Sequence, residues 1–163
     1  MIAAVVFDLD GTLVRLPIDY ERLFEEFQRI MKVDDVRPVT ERVAKLDAGV
    51  RAAVFEVWDR AELAVLGGVA VNAEGMRLYE DFVGKPKGLV TMQGKKLVKA
   101  VIEKLGLAFD AVVTREDSLD RAEQLKIVAE RLKAQITGLL FVGNTDGDAF
   151  AAAKAGCQFV RVK

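Results

Sequence analysis

The chain has 163 residues, of which 52% are hydrophobic and 30% are charged, a composition typical of one globular domain with a sizeable core. Its 24 Lys and Arg residues nearly balance its 25 Asp and Glu residues, so no broad positive field is available to bind a nucleic-acid backbone. Histidine is absent, which excludes His-based catalytic triads, histidine zinc ligands and phosphohistidine chemistry. The single cysteine, Cys157, excludes an intrachain disulfide and favours a reducing compartment.

The N-terminal apolar segment is too short for a signal peptide or a membrane span, because Asp8 interrupts it after about six residues. We therefore expect a cytoplasmic protein that has neither a membrane nor a nucleic acid as partner. The sequence does not define the oligomeric state.

Two acidic side chains and then a glycine follow this first apolar segment. Ile2 to Phe7 is continuously apolar, as expected of a strand covered on both faces in a parallel sheet. Side chains two residues apart point to the same side of an extended backbone, so Asp8 and Asp10 should emerge together where the strand ends. Crowded carboxylates repel each other, which raises one pKa or requires a cation between them. The segment therefore indicates a nucleophile with a neighbouring acid, or a metal site.

A hairpin turn is the alternative interpretation of the same residues, because Asp-Gly is a favoured turn dipeptide. The flanking segments do not alternate between apolar and polar residues, however. Leu13 to Pro17 is short and ends in proline, which makes it a poor hairpin partner. From this segment alone, the hairpin-turn interpretation therefore remains an open alternative.

Residues 18 to 83 are predicted to be helical throughout and to form a small bundle of three helices. Asp19 is expected to cap the first helix and Asn72 the third. Between them, the spacing of apolar residues predicts one long helix from Val43 to Val65, which ends before Gly67-Gly68.

From Leu89 onward, short apolar strands alternate with amphipathic helices. Strands are predicted at 89–92, 111–113, 138–142 and 159–162, and helices at 95–105, 122–132 and 148–155. This alternation is typical of βαβ units, so the sequence predicts an α/β fold with a parallel, Rossmann-like sheet. We expect residues 1–15 and 86–163 to form this core, and residues 16–85 to form an inserted small α-helical cap.

A second acidic cluster, Phe141 to Asp148, repeats the pattern of an apolar strand, a glycine, and acids just before a helix. In open α/β sheets ligands bind at the carboxyl ends of the strands, so this loop can share one site with Asp8 and Asp10. Together they could hold Mg²⁺, which takes one or two protein carboxylates plus waters and phosphate oxygens. A calcium loop is excluded because its required glycine and glutamate would fall on Ala149 and Ala155. A solvated turn with an N-capping aspartate remains the alternative.

These motifs resemble those of the haloacid dehalogenase-like superfamily of phosphotransferases. Asp8-Leu9-Asp10-Gly11-Thr12 is similar to its first motif, DxDGT. Thr91 resembles its second motif, a hydroxyl residue at a strand end, and Gly143-Asn144 with Asp148 is similar to its fourth motif, usually GDxxxD. The three motifs follow the order of the superfamily along the whole chain. Residues 16–85 lie where the superfamily inserts its type-one cap.

The resemblance implies a Mg²⁺-dependent phosphatase of small phosphorylated metabolites, phosphoglycolate or a sugar phosphate being typical of the family. Asp8 would attack phosphorus to form an aspartyl-phosphate, and Asp10 would protonate the leaving alcohol and then activate water. The implied metal ligands are Asp8, Asp10, Asn144 and Asp148. The implied ligands of the transferring phosphate are Thr91, Met92, Arg121 and Lys126.

Two positions depart from the family pattern. Asn144 replaces the usual first aspartate of the fourth motif and removes one negative charge from the site. No lysine stands where the third motif is expected, at residues 118–123, so Arg121 is the expected substitute and Lys126 the second candidate. These departures leave open a phosphomutase, or a non-catalytic protein that binds phosphate or a partner. A receiver-type signalling domain ranks last, because it would lack the helical insertion.

Overall fold

The computed structural model describes all residues, 1–163, and contains seven strands and seven helices. The strands are β1 (Ala4–Phe7), β2 (Val14–Arg15), β3 (Ala70–Val71), β4 (Lys87–Val90), β5 (Ala111–Val113), β6 (Leu139–Gly143) and β7 (Gln158–Arg161). The helices are α1 (Tyr20–Met31), α2 (Val39–Ala44), α3 (Ala48–Ala64), α4 (Ala73–Asp81), α5 (Lys95–Leu105), α6 (Arg121–Arg131) and α7 (Asp146–Ala155). The predicted α/β class is confirmed.

Five parallel strands form the central sheet in the order β5-β4-β1-β6-β7. Both faces of β1 are covered, since Val5 and Phe7 belong to one apolar cluster with α5 and Val6 belongs to another with α6 and α7. This burial explains why the first segment is apolar without alternation. The chain runs outward from β1 to β4 and β5 on one side and to β6 and β7 on the other. The ligand crevice of such a sheet lies at this reversal, beyond the carboxyl end of β1.

The helices α1 to α4 lie between β1 and β4. Helices α1 to α3 have a core of their own, centred on Phe27, Val54 and Trp58, whereas α4 packs against the sheet cluster that contains Val5 and Phe7. The ring centroids of Phe27 and Trp58 lie 5.4 Å apart, so α1 and α3 pack through aromatic contact. As predicted, Asp19 and Asn72 are helix N-caps, and their side chains accept from backbone N–H groups of the first turn.

The prediction of one long helix from Val43 to Val65 is wrong. Helix α2 ends at Ala44 and α3 begins at Ala48, because the Asp47 side chain accepts a hydrogen bond from the Val50 N–H and starts a new helix.

The prediction that residues 18–83 are helical throughout is also wrong at Ala70–Val71, which form β3. This strand pairs antiparallel with β2, more than fifty residues earlier in the chain. Its pairing is nonlocal and covers two exposed residues, so no periodicity marks it in the sequence. The ribbon joins the predicted core to the predicted cap, and the division at residues 15 and 86 stays a prediction. None of the helices is both long enough and apolar enough to cross a membrane.

Candidate active site

Asp8, Arg121 and Asp148 meet beyond the carboxyl end of β1, as the sequence predicted for the two carboxylates. Asp8 directly follows β1, while Arg121 and Asp148 lie in the first turns of α6 and α7. The Arg121 guanidinium bridges the two acids, with Nη2 3.0 Å from Asp8 Oδ1 and Nε 3.3 Å from Asp148 Oδ1. Asp8 and Asp148 are 5% and 4% exposed, so this charge pairing is largely shielded from water.

Two glycines are required by close contacts in this cluster, one between the loops after β1 and β6 and one within the loop after β6. Gly11 has φ of +87°, and a Cβ at this position would lie 2.3 Å from Asn144 Nδ2. A Cβ on Gly143 would lie 2.7 Å from Asp148 Oδ2. A side chain at residue 11 would therefore push the two loops apart, and one at residue 143 would displace the Asp148 carboxylate.

Thr12, which the sequence interpretation did not assign to the site, connects the two loops. Its Oγ1 donates to Asp8 Oδ2 at 3.2 Å or to Asn144 Oδ1 at 3.3 Å, and the residue is fully buried. The signal was present in the sequence, since Thr12 closes the first motif. The oxygens of Asp8 and Asn144 therefore lie on two sides of one hydroxyl group.

Asp10 lies in the same loop, but its side chain has different partners from that of Asp8. Its Oδ1 accepts from the Leu16 N–H at 3.0 Å, and its Oδ2 accepts from the hydroxyl of Tyr20, at the start of α1, at 3.4 Å. Burial raises the pKa of Asp10, although the Leu16 and Tyr20 hydrogen bonds oppose the shift. Tyr20 was not predicted from the sequence, because its contact depends on how α1 lies over the loop.

Burial raises the pKa of Asp8 from 3.8 to about 7. The nearby Arg121 guanidinium opposes this shift, and the negative charge of Asp148 adds to it. The acid whose charge raises the pKa of Asp8 is thus Asp148. The spacing in the sequence had suggested Asp10.

One buried side chain, Gln124, connects Arg121 to the loop after β4 by hydrogen bonds. Gln124 Oε1 accepts from Arg121 Nη1 at 2.7 Å, and its Nε2 donates to the Thr91 carbonyl at 2.8 Å. The Thr91 hydroxyl donates to Gln93 Oε1, and the Met92 N–H has no acceptor within the protein. Gln124 was missed, although a glutamine on the apolar face of α6 is a recognisable signal.

Of the two basic candidates for the third motif, the structure brings only Arg121 to the acids. Lys126 is one turn further along α6, on its exposed face, and makes no hydrogen bond or salt bridge. The helix geometry explains this, because residues five apart on a helix point in clearly different directions.

The oxygen atoms at this site fit a hard divalent cation such as Mg²⁺. No three acidic, histidine or cysteine side chains cluster as a metal site, because Asn144 replaces an acid and Asp10 points to Leu16 and Tyr20. Two carboxylates and a neutral amide oxygen remain around Thr12 and Arg121. This set suits Mg²⁺, which commonly binds one or two carboxylates and keeps several waters.

A cleft of about 830 Å³ opens beside this cluster, between α2 and the first turns of α6 and α7. Arg121, Asp148 and Met92 line its inner end. Lys45, just after α2, and Phe150 of α7 lie on its wall, and both are exposed to solvent. The cleft has room for a small molecule that reaches the cluster from outside.

Comparison with known proteins gives a match at the level of fold. No family model matches this sequence. No curated protein matches it either. Solved structures do match over nearly the whole chain, and three of them are representative.

A haloacid dehalogenase-like family hydrolase from Streptococcus pneumoniae is 17% identical, with a TM-score of 0.72, over 99% of this chain and 85% of that one. A candidate phosphoglycolate phosphatase from Lactobacillus plantarum is 16% identical, with a TM-score of 0.68, over 98% and 86% of the two chains. The L-2-haloacid dehalogenase from Xanthobacter autotrophicus, with chloropropionic acid covalently bound, is 20% identical, with a TM-score of 0.66, over 99% and 78%. The chain therefore has the fold of the haloacid dehalogenase-like hydrolases.

Proposed function

We propose that the protein is a Mg²⁺-dependent phosphatase that hydrolyses small phosphorylated metabolites through a phosphorylated Asp8. One observation supports this most strongly. A buried carboxylate at the end of the central strand faces a guanidinium group, and a second acid, Asp10, is held two residues away by separate partners. That arrangement provides a nucleophile, a cation for phosphate oxygens, and a separate acid.

In this proposal Asp8 attacks the phosphorus atom, and the leaving alcohol departs with a proton from Asp10. The raised pKa of Asp10 favours its protonated form, which a general acid needs. Asp10 then accepts a proton from the water that hydrolyses the aspartyl-phosphate. Its bonds to Leu16 and Tyr20 keep its carboxyl group separate from that of Asp8, so the two acids can hold different protonation states.

Arg121 and the free N–H of Met92 would bind the oxygens of the transferring phosphate. The guanidinium group carries a permanent positive charge and a planar fork that matches phosphate geometry. It is held in place by Gln124, which also bonds the Thr91 carbonyl, so the cation and the loop after β4 have a fixed relative position.

Mg²⁺, when bound, supplies positive charge that offsets the repulsion between the Asp8 carboxylate and the phosphate. Asp8, Asn144, Asp148 and the backbone carbonyl of Asp10 are the groups that would hold it. With asparagine in place of an acid, we expect weaker binding than at a site with three carboxylates. The cytoplasmic location and the absence of a nucleic-acid partner remain predictions.

A screen of phosphorylated metabolites with Mg²⁺, run on the wild type and on Asp8→Asn, tests the proposal. We expect release of inorganic phosphate by the wild type and none by the variant, with unchanged circular dichroism. A 2-haloacid belongs in the same screen, because a dehalogenase is among the structures with this fold. Phosphate release by both proteins would remove Asp8 as the nucleophile.

Two outcomes of the screen would replace the proposal with an alternative. Transfer of the phosphoryl group to a sugar phosphate, in preference to water, would identify a phosphomutase. Binding of inorganic phosphate without turnover of any compound would identify a non-catalytic binding protein.

A further inference from the structure

Arg115, which lies just after β5, is the largest fully buried side chain of the protein. Its guanidinium group pairs with two acids of α3, Asp59 and Glu62, and Nη1 lies 2.9 Å from Glu62 Oε2. The ring centroids of Trp58 and Phe55, on the same helix, lie 4.3 and 5.4 Å from the Arg115 Cζ atom. These α3 residues follow one another at intervals of three, one and three, so they form one face of the helix.

The same cluster holds both ends of the loop between β4 and α5. Arg115 Nη1 donates to the Met92 carbonyl at 3.1 Å. The Gly94 N–H donates to Glu62 Oε1, also at 3.1 Å. Met92 is the residue whose own N–H is free for a phosphate oxygen. Helix α3 and the candidate phosphate-binding loop are thus linked by hydrogen bonds to one buried cation and its partner.

Gly94 shows how tightly the loop fits against this cluster. A Cβ at residue 94 would lie 2.3 Å from Asp59 Oδ1 and 2.7 Å from Arg115 Nη2. The backbone of Gly94 has φ of −76° and ψ of 154°, which any residue adopts. The glycine is therefore required by the close approach of the ion pair rather than by its backbone conformation.

Stability alone is a weak reason for such a cluster. A buried ion pair often stabilises a fold no more than well-packed apolar residues of similar volume, since each charge must be desolvated. The Arg115 Nε also lacks a hydrogen-bond partner. The charged groups do provide directional hydrogen bonds, and each of these bonds fixes the position of a particular atom of the loop or of α3.

We propose that Arg115, with Glu62, is a positioning residue that fixes the Met92–Gly94 backbone against α3, so that this loop and the helix move as one body. The proposal rests on the proposed function in one respect, namely that this loop binds the phosphate of the substrate. Helix α3 is then a fixed part of the site, in contrast to a cover that opens and closes independently.

The test uses Gly94→Ala, which inserts one methyl group between the loop and the ion pair. Gly67→Ala is the matched control, because nothing lies within 4 Å of a Cβ at that position. Amide hydrogen exchange, followed by mass spectrometry, is measured for peptides that cover the loop and α3. We expect faster exchange in both segments of Gly94→Ala, and unchanged exchange in β6, β7 and α7.

Glu62→Gln is the second variant, because it keeps the side-chain shape and removes one charge. It should produce the same pattern of exchange, to a smaller extent. A general loss of stability would instead speed exchange in all segments together, and would overturn the proposal. Unchanged exchange at residues 92–95 in both folded variants would also overturn it.

Kinetics with a phosphorylated substrate add a second readout. We expect kcat/KM of Gly94→Ala to fall, and the inhibition constant of inorganic phosphate to rise, by about tenfold or more, since displacements of about 1 Å at a binding loop are costly. Gly67→Ala should stay close to wild type in both. If the wild type hydrolyses no phosphorylated compound, the proposed function fails, while the exchange experiment still decides whether the loop and α3 are coupled.

Discussion

Replacing the candidate nucleophile Asp8 by asparagine should stabilise the fold at pH 8, in the absence of metal, while it abolishes activity. Burial raises the pKa of Asp8 from 3.8 to about 7, a difference of about 3 pKa units. At about 1.36 kcal/mol per unit, keeping Asp8 ionised in the folded protein costs about 4 kcal/mol. Asparagine resembles the protonated acid at every pH and avoids this cost.

The sign of the pH dependence follows from the direction of the shift. A carboxyl group with a raised pKa in the folded state favours folding when it is protonated, so the wild type loses stability as pH rises from about 4 to about 7. Asp8→Asn has no such group. The difference in free energy of unfolding between variant and wild type should therefore be near zero at pH 4 and about 3 to 4 kcal/mol at pH 8.

Urea unfolding, followed by circular dichroism at pH 4 to 8 with EDTA, measures this difference. Asp34→Asn is the matched control, because Asp34 is exposed and its side chain makes no hydrogen bond; we expect no comparable gain. Adding Mg²⁺ should stabilise the wild type more than Asp8→Asn and narrow the gap. A variant that is less stable than the wild type at pH 8, or a difference that does not change with pH, would refute the reasoning.

Three further predictions concern the site and the helical core. Asn144→Asp should lower the Mg²⁺ concentration needed for half-maximal activity by about tenfold, and should raise the Mg²⁺-dependent gain in melting temperature, since it adds a carboxylate to the site; equal Mg²⁺ dependence in both proteins would contradict this. Arg121→Met should lower kcat/KM by about a hundredfold or more and Arg121→Lys by less, because lysine keeps the charge without the fork; equal losses in steady-state assays would show that the charge is unimportant. Phe27→Ala should lower the free energy of unfolding by about 3 to 5 kcal/mol in urea, because a fully buried ring is removed from the helical core; a loss below about 1 kcal/mol would mean that this core contributes little.

Much of the fold could be predicted because its signals are local. The apolar strands, the caps at Asp19 and Asn72, and the alternation of strands and helices after Leu89 each depend on neighbouring residues. The break between α2 and α3 was not predicted, because the spacing of the apolar residues on both sides of Asp47 fits one continuous helix equally well. The β2–β3 ribbon was not predicted, because its two strands are far apart in the sequence.

For the candidate site, the sequence indicated which acids approach each other, since parallel strands end at one edge of the sheet. It could not indicate the partners of each carboxylate. Asp10 has the predicted spacing from Asp8, yet Asp148 is the acid that perturbs Asp8. Arg115 and Glu62 were also missed, because 53 residues separate them and neither belongs to a recognisable motif.

Peptide mass spectrometry of the protein, quenched in acid within milliseconds of mixing with acetyl phosphate and Mg²⁺, tests the central claim most directly. We expect one phosphoryl group on the peptide that contains Asp8, absent from Asp8→Asn and lost on longer incubation. A phosphoryl group on another residue, or the same labelling in Asp8→Asn, would contradict the assignment of Asp8 as the nucleophile.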